Sequence, residues 1–568
     1  MLKYLKGYRL AACAAPVLKL CEALLELYIP FFVSGVIDNG LSKGDPGAVY
    51  RNCAMIAVFG FAGMAVSVFS QLLSARTAVG YSAALRRDAL RHILALSNES
   101  KTEYGRAALI TRLTADVDRI QSGINMGLRL LLRSPFIVFG SVVMAASIDG
   151  EMFTIFLLTV LILSLIVFAL ILAGTALQKK TGRGLESLTR LTDDNLRGVR
   201  VIRAFGREET QKDSFSTRAG IHEKASVFAG TVSSFMNPMT FAVVNIAVII
   251  IISRGSGMVN VGRLSRGQVV ALYNYMAQIL TELVKLANLT FTLSRAAASG
   301  KRVASLLKSG EERTDGAAPS SFEGPVVELR DVSYRYPGSS EDAISGISFS
   351  LKEGESLGVI GGTGSGKSTL ARLCAAVDPP SSGELLYYGA PVSELSLSGV
   401  REIISFVPQR AYLFSGTVKE NLKNGAPDAS DEDVREALRH AEALSFIESR
   451  DNGTDSEVIR GGGNFSGGQK QRLSIARALI RKPRLLILDD SFSALDYKTD
   501  LALRKNVSSL AFPHATVIIS QRPSAVIGCD RILVLENGKP AGYGTHSELL
   551  AGCPLYREIY DSQYGGDR

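Results

Sequence analysis

The chain has 568 residues, 46% of them hydrophobic and 21% charged, with a formal net charge of +9. That length is more than one core holds at roughly 150 residues per domain. The charge does not point to nucleic acid, because the basic residues concentrate between hydrophobic segments, where membrane proteins carry them on the cytoplasmic side. Cys13, Cys21, Cys53, Cys374, Cys529 and Cys553 are scattered without paired spacing, so neither a zinc site nor a disulfide framework is indicated.

In residues 1–9, Lys3, Lys6 and Arg9 interleave with Leu2, Tyr4, Leu5 and Tyr8, which suits a helix lying on the cytoplasmic membrane face. The apolar stretch that follows, to about Val36, amounts to roughly 40 Å of helix, too long for a cleaved signal segment. With further spans centred on 59–73, 130–148, 153–173, 238–252 and 269–293, six crossings are expected. The connection from Arg76 to Asn125 also contains Arg86, Arg87, Arg91, Lys101, Arg106, Arg112 and Arg119, whereas residues 39–50 carry only Lys43. This asymmetry places that loop, and the equally basic loop 178–234, in the cytoplasm. Both loops are helix-forming, so helices are expected to run beyond the bilayer to tips near 98–105 and 205–209.

Ionisable residues inside spans are costly unless paired or wet. Glu22 and Glu26 stand one turn apart in the first span, and Glu282 precedes Lys285 by three residues in the sixth. Two readings stay open here: a pathway that accepts a cation, or local pairing of Glu282 with Lys285 and a wet vestibule around Glu22 and Glu26. Pro30 and Pro238 are placed to kink their helices.

Residues 305–325 are rich in Gly, Ser, Glu and Lys, which divides the chain into a membrane domain (1–305), a linker (306–325) and a soluble domain (326–568). Residues 326–336 read as a strand with Tyr334 and Tyr336 on one face, positions that by themselves suit a core. The run Gly361, Gly362, Thr363, Gly364, Ser365, Gly366, Lys367, Ser368 and Thr369 lies between an apolar, strand-like segment and a helix-like one. It has the spacing of a phosphate-binding loop: glycines turn backbone N–H groups toward phosphate oxygens, Lys367 reaches the β- and γ-phosphates, and Ser368 offers a hydroxyl to magnesium. Residues 485–488 form an unbroken apolar run ending in Asp489 and Asp490, so a buried strand delivers a carboxylate that can serve as a magnesium ligand. In NFSGGQKQR, Ser466, Gly467 and Gly468 open a second anion-binding helix, followed by Gln469. One nucleotide does not need both loops from one chain, whereas two copies can share two.

FSGGQ followed by QRLSIARAL resembles the signature of ATP-binding cassette (ABC) transporters, in the right order relative to the phosphate loop and Asp489. The resemblance covers the whole chain and implies an exporter half-transporter: an all-α six-helix transmembrane domain, then an α/β ABC nucleotide-binding domain with a phosphate loop. It implies ATP and magnesium (Mg2+) as cofactors, membrane lipid as surroundings, and a multi-pass place in the cell membrane with the cassette cytoplasmic. By the same resemblance Tyr336 corresponds to the adenine-stacking tyrosine, Gln409 to the magnesium-sensing glutamine, Asp489 to the metal-associated aspartate, and SALD (493–496) to the loop that contacts the opposite site. Residues 98–105 and 205–209 correspond to the coupling-helix regions.

Two departures bear on mechanism. Hydrolytic members carry glutamate where this chain has Asp490, one methylene shorter, leaving its oxygens roughly 1.5 Å from where the attacking water needs them, a shift that can cost about a hundredfold in rate. The usual switch histidine is Gln521, which can hydrogen-bond a γ-phosphate but cannot become cationic. Arg460 stands where a glutamate often precedes the signature. With the signature intact, the pattern resembles the degenerate-site subunit of a heterodimer: the chain's own site holds ATP and turns it over slowly, while Ser466, Gly468 and Gln469 complete the partner's site. A slow homodimer, an importer on the same fold and a regulatory ATP-binding subunit are the alternatives. Small-molecule (multidrug), lipid and peptide substrates all stay open, the membrane acids favouring cationic amphiphiles.

Overall fold

In the computed structural model, which describes residues 2–312, 316–319 and 322–564, the chain forms two compact units. One comprises the described residues up to Leu94 together with Tyr104–Ser309; the other comprises Ala95–Glu103 and the described residues from Gly310 on. The division at Ser309 falls inside the segment read as linker, of which residues 313–315 and 320–321 lie outside the described residues, as does the end of the cassette domain from 565. Ala95–Glu103 joins the second unit because the Ser97 N–H donates to the Gly310 carbonyl at 3.1 Å and Leu96 forms a β-bridge with Glu311.

The first unit is all helix. Among the described residues, five stretches are helical, long and apolar enough to cross a membrane: Lys3–Leu41, Pro46–Ala95, Arg106–Ile148, Gly150–Arg197 and Glu208–Asn260. The sixth span falls on the 41-residue helix Arg266–Leu306, which is too polar to join them by composition and instead buries Tyr275, Met276, Ile279 and Leu283 in the bundle core. Pro46–Ala95 and Gly150–Arg197 run for 50 and 48 residues. At 1.5 Å per residue each is roughly 70 Å long or more, over twice a hydrocarbon core of about 30 Å. Pro30 stands inside Arg9–Gly35, and Pro238, which cannot donate to the Ser234 carbonyl, stands in the helical stretch Glu208–Asn260 just after Glu208–Ser234 gives way to Met236–Asn260.

The second unit contains a six-stranded and a four-stranded sheet, and a two-stranded one formed by Gly416–Thr417 and Glu457–Val458. In the largest, the spatial order is Lys539–Gly544, Arg531–Glu536, Ser356–Gly361, Ala515–Ser520, Leu485–Asp489 and Ile404–Val407. Every neighbouring pair is parallel except the first. Both faces of this sheet are covered, which is why Leu485–Asp489 and Ala515–Ser520 are buried at every position and read as continuous apolar runs. Because they run parallel, Ser356–Gly361, Leu485–Asp489 and Ala515–Ser520 all end on one edge, the edge where such sheets bind ligands. A four-stranded antiparallel sheet carries Val327–Tyr334. That strand ends two residues before Tyr336, which leaves the sheet ahead of Pro337. Tyr334 is buried, whereas Tyr336 is 36% exposed and meets it edge to face, with ring centroids 5.0 Å apart.

Candidate functional site

The loop that follows Ser356–Gly361 turns into the helix Lys367–Cys374 at Gly366, whose φ of 95° is left-handed. A Cβ there would lie 2.5 Å from Ile344 Cγ2, so glycine is required both by conformation and by close approach. Lys367 Nζ folds over the loop, donating to the carbonyls of Gly361 at 2.8 Å and Gly362 at 2.6 Å, and lies 3.3 Å from Ser365 Oγ. Burial pushes its ammonium below the usual lysine range, while the charges of Asp490 and Asp489 pull the other way.

The three parallel strand ends converge on a cavity of about 550 Å3 lined by residues 363–369, Tyr336, Gln409, Asp489, Asp490 and Gln521. The Ser368 hydroxyl donates to Asp489 Oδ1 at 3.2 Å. Asp489 is 5% exposed and burial raises its carboxyl above the usual aspartate range, against the Ser368 hydrogen bond. Gln409 Nε2 donates to Asp490 Oδ2 at 3.3 Å. Asp490 itself has a φ of 46°, a left-handed conformation that aspartate tolerates better than most residues. Gln521 follows the last residue of its strand. On the far side, the Tyr336 hydroxyl is 2.9 Å from Thr369 Oγ1.

A hydroxyl, a buried carboxylate and an amide are hard oxygen donors of the kind magnesium prefers. Among the described residues no group of three or more His, Cys, Asp or Glu side chains could hold a metal by itself. The donor set therefore fits a cation that brings further ligands with it, as magnesium does when bound to a nucleoside triphosphate; Ser368 and Asp489 would hold it, with Gln409 beside them.

Ser466 caps the helix Gly467–Leu479. The Gln469 N–H donates to Ser466 Oγ at 3.3 Å and the Ser466 N–H to Gln469 Oε1 at 3.0 Å, a reciprocal capping box. Ser466 and Gly467 are exposed, and a Cβ on Gly468 would lie 3.0 Å from the Ala494 carbonyl, so the helix start packs on the 493–496 loop. None of Ser466, Gly467, Gly468 and Gln469 lines the cavity of the phosphate loop. The starts of the helices Lys367–Cys374 and Gly467–Leu479 thus open onto different places in one cassette.

In the membrane unit the local pair expected between Glu282 and Lys285 is present at 2.7 Å, but sequence reading missed Arg133. Arg133, 7% exposed, reaches Glu282 Oε1 at 2.6 Å and Glu26 Oε2 at 2.5 Å, and its Nε lies 3.7 Å from Glu22; Lys19 pairs with Glu22. Three carboxylates face three resident cations. The cluster is charge-balanced, which removes the electrostatic reason to expect a cationic substrate there. The available signal was an arginine inside the apolar stretch 130–148.

The fold and these sites define a transporter half: one helical membrane region fused to one nucleotide-binding cassette. Residues 12–283 match the ABC transporter transmembrane region and residues 344–493 the ABC transporter domain, and the chain belongs to the ATP-binding cassette transporters, a family that couples ATP hydrolysis to transport. It is 34% identical to the ABC transporter ATP-binding protein YfiB of Bacillus subtilis, over 99% of this chain and 98% of that one. It is 29% identical to the probable multidrug resistance ABC transporter ATP-binding/permease protein YheI of the same organism, over 99% and 96%. Its fold matches that of a bacterial Atm1-family ABC exporter with ATP bound, with a TM-score of 0.82, 22% identity and 99% of each chain covered.

Proposed function

We propose that this chain is the degenerate-site subunit of a heterodimeric ATP-driven exporter, set in the cell membrane with its cassette and both long loops cytoplasmic. The observation that carries this reading is the pairing of a short Asp490, held by Gln409, with a Gln521 that lines the same cavity, beside a fully built signature helix that faces elsewhere. ATP binds with its base on Tyr336, its phosphates on residues 361–369 and its magnesium at Ser368 and Asp489. Chemistry there is slow because neither Asp490 nor Gln521 is matched to activating water. Ser466, Gly467, Gly468 and Gln469 complete a competent site on a second half-transporter, and closure of the two cassettes drives alternating access through the loops at 98–105 and 205–209. The domain division 1–305, 306–325 and 326–568 is part of this reading. The resemblance to YheI, a probable multidrug resistance transporter, supports the multidrug reading of the substrate.

The test is steady-state ATPase activity of the purified chain alone and of the chain co-purified with the half-transporter encoded beside it. Activity confined to the pair is expected. Equal activity from the chain alone would replace the heterodimer by a slow homodimer.

A further inference from the structure

Tyr336 is linked to the helix Asn98–Tyr104 through two side chains. Arg372, on the helix that the phosphate loop opens, holds its guanidinium carbon 5.6 Å from the Tyr336 ring centroid, with Nη1 3.5 Å from the phenol oxygen. Its Nη2 pairs with Asp378 Oδ2 at 2.6 Å. Asp378 is only 6% exposed, and its other oxygen accepts from Asn98 Nδ2 at 2.9 Å. Tyr336, Asp378 and Asn98 line one groove of about 1220 Å3.

We propose that Arg372 and Asp378 are positioning residues that tie occupancy of the base site at Tyr336 to the placement of the helix Asn98–Tyr104. This deepens the proposed function and rests on its reading of Tyr336 as the base platform. A purine stacked on that ring competes with the guanidinium for the same π-surface. Arg372 then rests on Asp378 Oδ2, and Asn98, bound to the other oxygen, holds that buried carboxylate in place to keep the guanidinium off the ring. A planar fork suits this role: one prong holds the carboxylate while the other senses the ring. The link is reciprocal by thermodynamic necessity, so a residue of the Ala95–Glu103 segment that touches no nucleotide alters nucleotide affinity.

The experiment measures binding of trinitrophenyl-ATP by fluorescence to the full-length chain in lipid nanodiscs. Asn98→Ala, a change at a half-buried position, is expected to weaken binding about fivefold. Asp378→Asn, which keeps the shape and the acceptor for Asn98 but removes the charge, is expected to do the same. Arg372→Lys keeps charge without the fork and is expected to match Asp378→Asn. In an Arg372→Gln background, Asn98→Ala is expected to have no further effect, an outcome that a merely structural role does not produce. Binding unchanged within about twofold by Asn98→Ala, or effects of Asn98→Ala and Arg372→Gln that multiply, overturns the proposal. Lys367→Ala separates the two failures. If it spares binding, the nucleotide reading itself falls, whereas loss of binding there with no effect of Asn98→Ala refutes the link alone.

Discussion

Asp490 accepts a hydrogen bond from Gln409 Nε2 at 3.3 Å, and both side chains line the cavity of the phosphate loop. Lengthening the side chain by one methylene brings its oxygens further into that cavity. The double variant Asp490→Glu with Gln521→His is expected to raise single-turnover hydrolysis at this site by about a hundredfold. No gain in the pair would place the defect outside these two residues.

Asp489 gives a pH signature. Burial raises its pKa, so the folded chain holds this proton more tightly than the unfolded one; the stabilising contribution is present at low pH and is lost as pH rises through the folded value. At neutral pH without magnesium the ionised, buried carboxylate is a liability, and Asp489→Asn is expected to raise the melting temperature of the protein. With magnesium and ATP the order reverses, since the cation needs the carboxylate. Magnesium affinity is expected to fall on acidification sooner than for an ordinary aspartate of pKa about 3.9. A melting temperature insensitive to both substitution and magnesium would count against Asp489 as the metal contact.

The capping box at Ser466 makes the signature helix a second point of attack. Ser466→Arg removes a cap, a loss of about 1 kcal/mol, and places a bulky cation where the proposed function puts the partner's phosphates. ATPase activity of the pair is expected to disappear. Lys367→Ala, which disables this chain's own site, is expected only to reduce it. Equal losses from the two variants would mean that both sites turn over.

Arg133 is the hub of the membrane cluster. Replacing it with alanine leaves Glu26 without its 2.5 Å partner and Glu282 with Lys285 as its only cation, next to the Ser134 hydroxyl at 2.7 Å. Leaving a buried charge wholly uncompensated costs about 3–5 kcal/mol, and the loss here is expected to be smaller because Glu282 keeps Lys285 and Glu26 is 37% exposed. Thermal unfolding in detergent is expected to show a clear loss for Arg133→Ala and a smaller one for Arg133→Lys, which keeps one contact. An unchanged melting temperature would show that the pairs contribute little to the bundle.

The sequence by itself determined the parts whose chemistry is local. The phosphate loop needs glycine at Gly366 for a left-handed φ, the signature helix needs Ser466 and Gln469 three residues apart, and Leu485–Asp489 advertises a buried strand by its unbroken apolar run. Each is written within about ten residues, so backbone geometry and spacing reveal it. Tertiary structure alone decided the rest. Nothing local to Glu26, Glu22 or Glu282 names Arg133, 149 positions from Glu282, as their common partner. Asn98 and Asp378 are 280 residues apart, and Ala95–Glu103 belongs with the cassette only because the folded chain brings it there. Side-chain charge says that a partner is needed in a low-dielectric interior, and only packing says which one is within reach.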